Sequence, residues 1–144
     1  MLFLNVSFVG SHALQKALPK DDLNVIVMQA VPTFDSSLVI IDEYLSALSE
    51  FDITMKSNTV SLEGFIIAKI FHQGLLQIEG EITKESIIDG LESLDGIDIG
   101  LGLDIYYDES EHQAIHQPWV TRLHLGAIKD FNWQMMSVEG NFYE

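Results

Sequence analysis

One stretch, "NTVSLEGFIIAKIFHQGLLQIEG" (residues 58–80), constrains this chain more than any other. Leu62, Phe65, Ile66, Ile67, Ile70, Phe71, Leu75 and Leu76 recur at helical spacing, yet they cover too much of the circumference for a single core-facing stripe. Ser61 is the expected N-cap, and Glu63 the expected first-turn acid, placed where the helix dipole favours negative charge. Burial on more than one side is expected. The chain must therefore carry, or meet, a layer on each side of this helix.

The flanking segments supply an α/β frame. "LFLNVSFVG" alternates loosely and stops at Gly10, so it reads as a strand; "SHALQKAL" follows as a short helix ended by Pro19. "NVIVMQAV" is a near-continuous apolar run stopped by Pro32, a pattern suited to a strand covered on both faces in a mostly parallel sheet flanked by helices. Asp35 or Ser36 is placed to cap a helix from about Ser37 to Glu50, with Leu38, Ile41, Leu45 and Leu48 inward. "TKESIIDGLESLDG" reads as an amphipathic helix capped by Thr83 and stopped at Gly96, with Ile87, Ile88, Leu91 and Leu94 inward. "IDIGLGLDIYYD" and "PWVTRLHLGAI" read as two strands around the polar loop "DESEHQAIHQ". No repeat and no internal boundary stands out, so residues 1–144 read as one domain, which the resemblance given below implies is partial, with no structure assigned to the tail 129–144.

Charge and residue usage narrow the function. Seven basic against 22 acidic residues give a formal charge of −15, which opposes nucleic-acid phosphates and anionic membranes. The absence of cysteine removes disulfides, thiolate nucleophiles and cysteine zinc sites. "MLFLNVSFVG" lacks a basic leader and a small-residue cleavage site, so the sequence as read would stay in the cytoplasm, and no apolar run is long enough to span a bilayer.

Motifs for chemistry are weak. His112 and His116 are four apart with Glu109 and Glu111 nearby, but they fall in a polar loop where a solvated turn is the expected structure. The acids Asp104, Asp108, Glu109 and Glu111 lack the glycine and closing glutamate of a calcium loop. "DGIDIGLG" has phosphate-loop spacing, but its glycines lead into a strand without a following Lys-Ser or Lys-Thr, so turn chemistry is expected. Neither Ser7 nor Ser61 stands in a nucleophile elbow. No enzyme, metal or cofactor is expected.

The order of the pieces is more specific. A strand ending "SFVG", an apolar strand ending "AVP", the helix opening "SLEGF", the helix opening "TKESI" and two strands around "ESEHQ" follow one another over residues 2–128. Together they resemble the C-terminal part of branched-chain-amino-acid-type periplasmic binding proteins, the type I solute-binding fold. Members of that family are more than twice as long and hold a ligand between two α/β lobes. The resemblance implies a non-catalytic part of a receptor for a small polar solute such as an amino acid or amide, working with a transporter permease or a sensor. It implies a periplasmic location. It also implies that residues 58–80 pack on a first lobe this chain does not contain.

Site residues follow from the same resemblance. In amino-acid-binding relatives the loop after the first strand carries a carboxylate for the ligand's amino group; here it is "GSHAL", with Ser11 and His12 at that place. A neutral imidazole accepts a hydrogen bond from an ammonium, whereas a charged one opposes it. Ser61 and Glu63 are implied near the interlobe region. A different class of function is an interaction domain with no small ligand, forming a homodimer through the surface around Leu62–Leu76.

Overall fold

Asn24–Gln29 (β2) is the strand on which the first part of the fold is built, in a computed structural model that describes residues 2–6, 11–18, 24–124 and 127–131. Its register partner in parallel is Leu2–Val6 (β1), and Trp119–His124 (β5) lies antiparallel on its other side. Ala127–Asp130 (β6) pairs antiparallel with β5, so the sheet order is β1-β2-β5-β6. Val25, Ile26 and Val27 are all buried, on both faces of β2, as the continuous apolar run requires. Burying each such side chain contributes about 1.5–3 kcal/mol. Ser11–Ala17 (α1) lies on one face, where Leu14 and Leu18 pack against Val25, Val27 and Leu123.

The α/β class is as expected, while among the described residues parallel pairing is confined to β1 and β2. The chain between β2 and β5 is not a single crossover helix but a whole second unit, so nothing obliges β5 to return in the same direction. The described residues fall into two compact units, one within Met1–Phe34 and Pro118–Glu144, the other Asp35–Gln117. The sequence shows no boundary there because both passages are short and free of Gly- or Ser-rich linkers.

The second unit holds three helices and a hairpin. Val39–Phe51 (α2) buries Ile40, Ile41 and Tyr44, whereas Leu45 is exposed, so its inward face is turned from the expected one. Neither Asp35 nor Ser36 caps it. Leu38 holds the cap position without a side-chain bond, and the Ile40 N–H donates to the Gly100 carbonyl at 3.1 Å. A tertiary acceptor has replaced the local cap. Gly100 permits this approach: its φ is +83°, and a Cβ there would lie 3.0 Å from Ile40 N.

Thr59–Leu76 (α3) starts earlier than the sequence suggests. Its N-cap is Asn58, whose Oδ1 accepts from the Ser61 N–H at 2.9 Å. Ser61 is therefore the third helical residue, and Glu63 stands in the second turn, beyond the dipole's strongest reach. The structure also corrects the expectation of all-round burial. Leu62 and Ile66 are buried on one face, while Val60 (74% exposed), Ile67 (59%) and Phe71 (42%) are not. At about 100° per residue, these three share a stripe with Gly64 on the side opposite Leu62 and Ile66.

Lys84–Glu92 (α4) has the expected Thr83 cap, strengthened by reciprocal bonds between Thr83 and Ser86. It ends before Gly96, which instead takes φ +66° inside Leu94–Asp98 (β3), and Ile88 is exposed. β3 pairs antiparallel with Asp104–Tyr107 (β4), with a register shift between Leu94 and Ile97. "IDIGLGLDIYYD" is thus most of a hairpin rather than one strand, its connector carrying Gly100 and Gly102 at positive φ. β4 and β5, the strands on either side of the polar loop, lie in different sheets.

Candidate functional site

Of the four residues singled out by the sequence, Ser61 and Glu63 stand on α3 in the Asp35–Gln117 unit, and Ser11 and His12 open α1 in the other. The side chains of Ser11 and His12 lie outside the described residues.

Ser61 is bound into a knot that joins two helices. The Asn58 N–H donates to Tyr44 Oη at 3.3 Å, and Ser61 Oγ donates to the Asn58 carbonyl at 3.1 Å. The remaining hydroxyl proton, on Tyr44, is placed to donate to Ser61 Oγ across 2.6 Å. Phe65 meets the Tyr44 ring edge-on at 5.7 Å. The sequence placed Leu45 inward on α2 and so missed Tyr44; its signal is a tyrosine one position from the expected apolar face, where a buried ring needs a hydroxyl partner. Tyr44→Phe should destabilise this unit by about 1–3 kcal/mol by stranding the Asn58 N–H, a change readable by urea denaturation. An unchanged midpoint would show that the knot is ornamental.

Glu63 is exposed and makes no side-chain hydrogen bond or ion pair among the described residues. Two turns on, Lys69 ties α3 to its neighbours by an ion pair with Glu43 of α2 and a 3.2 Å bond to the Ile99 carbonyl.

The polar loop after β4 is more ordered than its composition suggests. Asp108 Oδ1 accepts from Ser110 N and Oγ at 2.7 and 2.6 Å and from Glu111 N at 3.0 Å. The Ser110 hydroxyl and then its amide hold the Asp108 carboxyl below the ordinary carboxylate range, with smaller help from the Glu111 amide and His112. Because the folded value is the lower one, this carboxylate's contribution to stability is present above the unfolded pKa of about 3.9 and disappears as pH falls through the folded value. Ser110→Ala should raise the Asp108 pKa in an NMR titration; an unmoved value would refute the assignment.

His112 stacks on Tyr107 at 5.0 Å and meets Glu92 Oε1 at 2.9 Å; His116 lies 3.8 Å from Glu111 Oε2. The two histidines thus turn to different carboxylates, and among the described residues no group of three or more His, Asp or Glu is placed to hold a metal. A cavity of about 260 Å³ is lined in part by Asp104, Tyr106, Asp108, Glu111 and His116. It is smaller than the roughly 300–1,000 Å³ usual for ligand pockets. No helix among the described residues is long and apolar enough to cross a membrane.

Neither the family models nor the curated proteins contain a match to this chain. Solved structures do. A protein from Rhodopirellula baltica SH 1, described as a possible leucine/isoleucine/valine-binding protein, superposes with a TM-score of 0.83 at 36% identity over 92% of this chain. Over most of its length the chain is similar to part of a periplasmic solute-binding protein. A substrate-binding periplasmic protein from Ralstonia solanacearum, 18% identical over 89% of the chain, repeats the fold with a TM-score of 0.74. The chain spans 36% and 37% of those two proteins, just over a third of each. Ser11, His12, Ser61 and Glu63 are distributed over both units of the chain.

Proposed function

We propose that this chain is a non-catalytic portion of a periplasmic receptor that captures a small polar solute, an amino acid or amide, by closure of two lobes, and delivers it to an ABC transporter or a sensor. The observation carrying this reading is the agreement, in fold and at 36% identity, with a protein described as a possible leucine/isoleucine/valine-binding protein. Hinge closure around a ligand suits an architecture in which the chain leaves one unit after Phe34 and returns at Pro118. Ser11 and His12 on one unit, and Ser61 and Glu63 on the other, are the proposed ligand contacts. Among them Ser61 would act with its hydroxyl already held by Tyr44 and Asn58. His12 in place of the family's carboxylate favours a solute with a weaker demand for an anionic partner.

The test is a thermal-shift screen with the amino acids and their amides. A ligand at 100 times its Kd stabilises by about 2.7 kcal/mol, and His12→Asp should move the preference toward ammonium-bearing ligands. If none of these solutes raises the melting temperature, the receptor reading fails.

The exposed stripe Val60–Ile67–Phe71, with Leu76 beyond it, favours a second reading, in which the surface around Leu62–Leu76 forms a homodimer and no small ligand is bound. Leu62 itself lies in the core, so the contact would be made by the opposite face. Light scattering during size exclusion decides this: a dimer dissolved by Ile67→Glu supports it, and a monomer at high concentration ends it.

A further inference from the structure

The polar loop of residues 108–117 is closed on itself and tied to the rest of its unit at one place. The Asp108 and Glu111 backbones exchange hydrogen bonds, each N–H donating to the other carbonyl at 3.2 Å. Glu111 Oε1 accepts from the Gln113 N–H at 2.8 Å, and Gln113 Nε2 donates to the Ile115 carbonyl at 3.0 Å. All of these bonds begin and end within the loop. Among the described residues, the one hydrogen bond or ion pair from it to a helix or strand joins His112 Nε2 to Glu92 Oε1 on α4, at 2.9 Å.

A proton on His112 would strengthen each contact around that tie. Glu92 would face an opposite charge, and its side chain, 17% exposed, is the better shielded of the two. Glu92 is also the last residue of α4, whose final turn has no basic residue, so a cation there meets the negative end of the helix dipole. The His112 ring lies 5.0 Å from the Tyr107 ring and 7° from parallel, over the face that attracts a cation. From the loop, the Asp108 carboxylate is near enough to attract a charged His112. No Lys or Arg stands between Lys84 and Arg122, so His112 and His116 are the side chains of that stretch able to become positive. His116 turns to Glu111 inside the loop, 3.8 Å away, and adds nothing to the tie.

We propose that residues 108–117 form a pH-set latch, in which protonation of His112 clamps the loop between Tyr107 and Glu92 and stiffens the passage along which the chain leaves the Asp35–Gln117 unit. Histidine ordinarily changes charge between about pH 5 and 8. The latch therefore tightens on acidification and slackens as pH rises. Asp108 acts in the opposite sense and in a different range, since its carboxyl is held below the ordinary value of about 3.9 and keeps the turn closed throughout the histidine range. A neutral imidazole still reaches Glu92 with one N–H, so the loop loosens without being released. The inference rests on this loop's own geometry and is independent of the proposed solute.

The experiment measures amide protection factors in the full chain at pH 5.5 and 8.0, which divides out the intrinsic pH dependence of exchange. The pair is partly open to water, so protection at residues 109–117 should be about two- to fivefold higher at pH 5.5. Protection in α3, measured alongside, should not change. Glu92→Gln keeps a hydrogen-bond acceptor but no charge, and His112→Gln removes the titrating ring; each should abolish the difference, while His116→Gln should preserve it. Each comparison is made between two pH values of one protein, so a general loss of stability in a variant does not imitate the result. Equal protection at the two pH values in the unaltered chain, a difference that survives Glu92→Gln, or one that disappears with His116→Gln would each overturn the inference.

Discussion

Leu62→Ala is expected to cost the Asp35–Gln117 unit about 2–5 kcal/mol, the range for emptying a fully buried leucine site. Leu62 has no exposed surface, and Ile66 follows it one turn later on the same face of α3. That face is the contribution of α3 to a core that includes Ile40, Ile41, Leu94, Ile99, Leu101 and Ile105. The loss combines lost transfer energy with the cavity left behind, since the Tyr44 knot and the Lys69 ties restrain the helix from collapsing inward. Because the chain has two units, the readout should be local: hydrogen exchange in α2, α3 and the hairpin, compared with β2 and β5 as an internal reference. Equal acceleration everywhere would show that the units unfold as one, and a change under about 1 kcal/mol would refute tight packing at this site.

Gly90→Val should be comparably damaging for a different reason. A Cβ at Gly90 would lie 2.5 Å from the Gly74 carbonyl oxygen and 3.1 Å from Ile78 Cγ1. From the other helix, a Cβ at Gly74 would lie 2.7 Å from Leu91 Cδ2. The two glycines let α3 and α4 approach backbone to side chain, and a carbonyl held in a helix cannot rotate aside as a side-chain end can. Overpacking of about 1–3 kcal/mol is expected, with separation of α4 from α3 as the structural outcome. Gly64→Ala is the contrasting control. Nothing lies within 4 Å of a Cβ there, so replacing a helical glycine should stabilise by about 0.5–1 kcal/mol. Thermal melts of the three proteins check both signs; equal effects at Gly64 and Gly90 would mean that helix propensity, and not the close approach, sets the cost.

Local signals in the sequence carried as far as their physics reaches. Thr83 is a cap because its hydroxyl reaches an amide three residues away, a distance the chain itself sets. The polar loop at Asp108 and the glycine connector at Gly100 and Gly102 were legible for the same reason, as turn residues acting within a few positions. Asn58 shows the limit of such reading. Asn58 and Ser61 are both good caps, and the choice between them depends on Tyr44, which is brought to Asn58 and Ser61 only when α2 packs on α3. The capping of α2 was illegible outright, because its acceptor is the Gly100 carbonyl, some sixty residues away along the chain.

The candidate site was legible only through its family resemblance. Ser11, His12, Ser61 and Glu63 carry no short-range pattern of their own. By itself the sequence determined most of the helices and strands, that the chain is acidic and free of cysteine, and that residues 58–80 hold more apolar surface than one stripe needs. Only the tertiary structure decided which of that surface is used: Leu62 and Ile66 are buried, Val60, Ile67 and Phe71 are left open, and Leu4, Val6 and Met28 are left open on the sheet. Periodicity states how much apolar surface an element carries, since that is a property of its own side chains. What covers it depends on layers brought together across the chain, and those lie beyond the reach of local pattern.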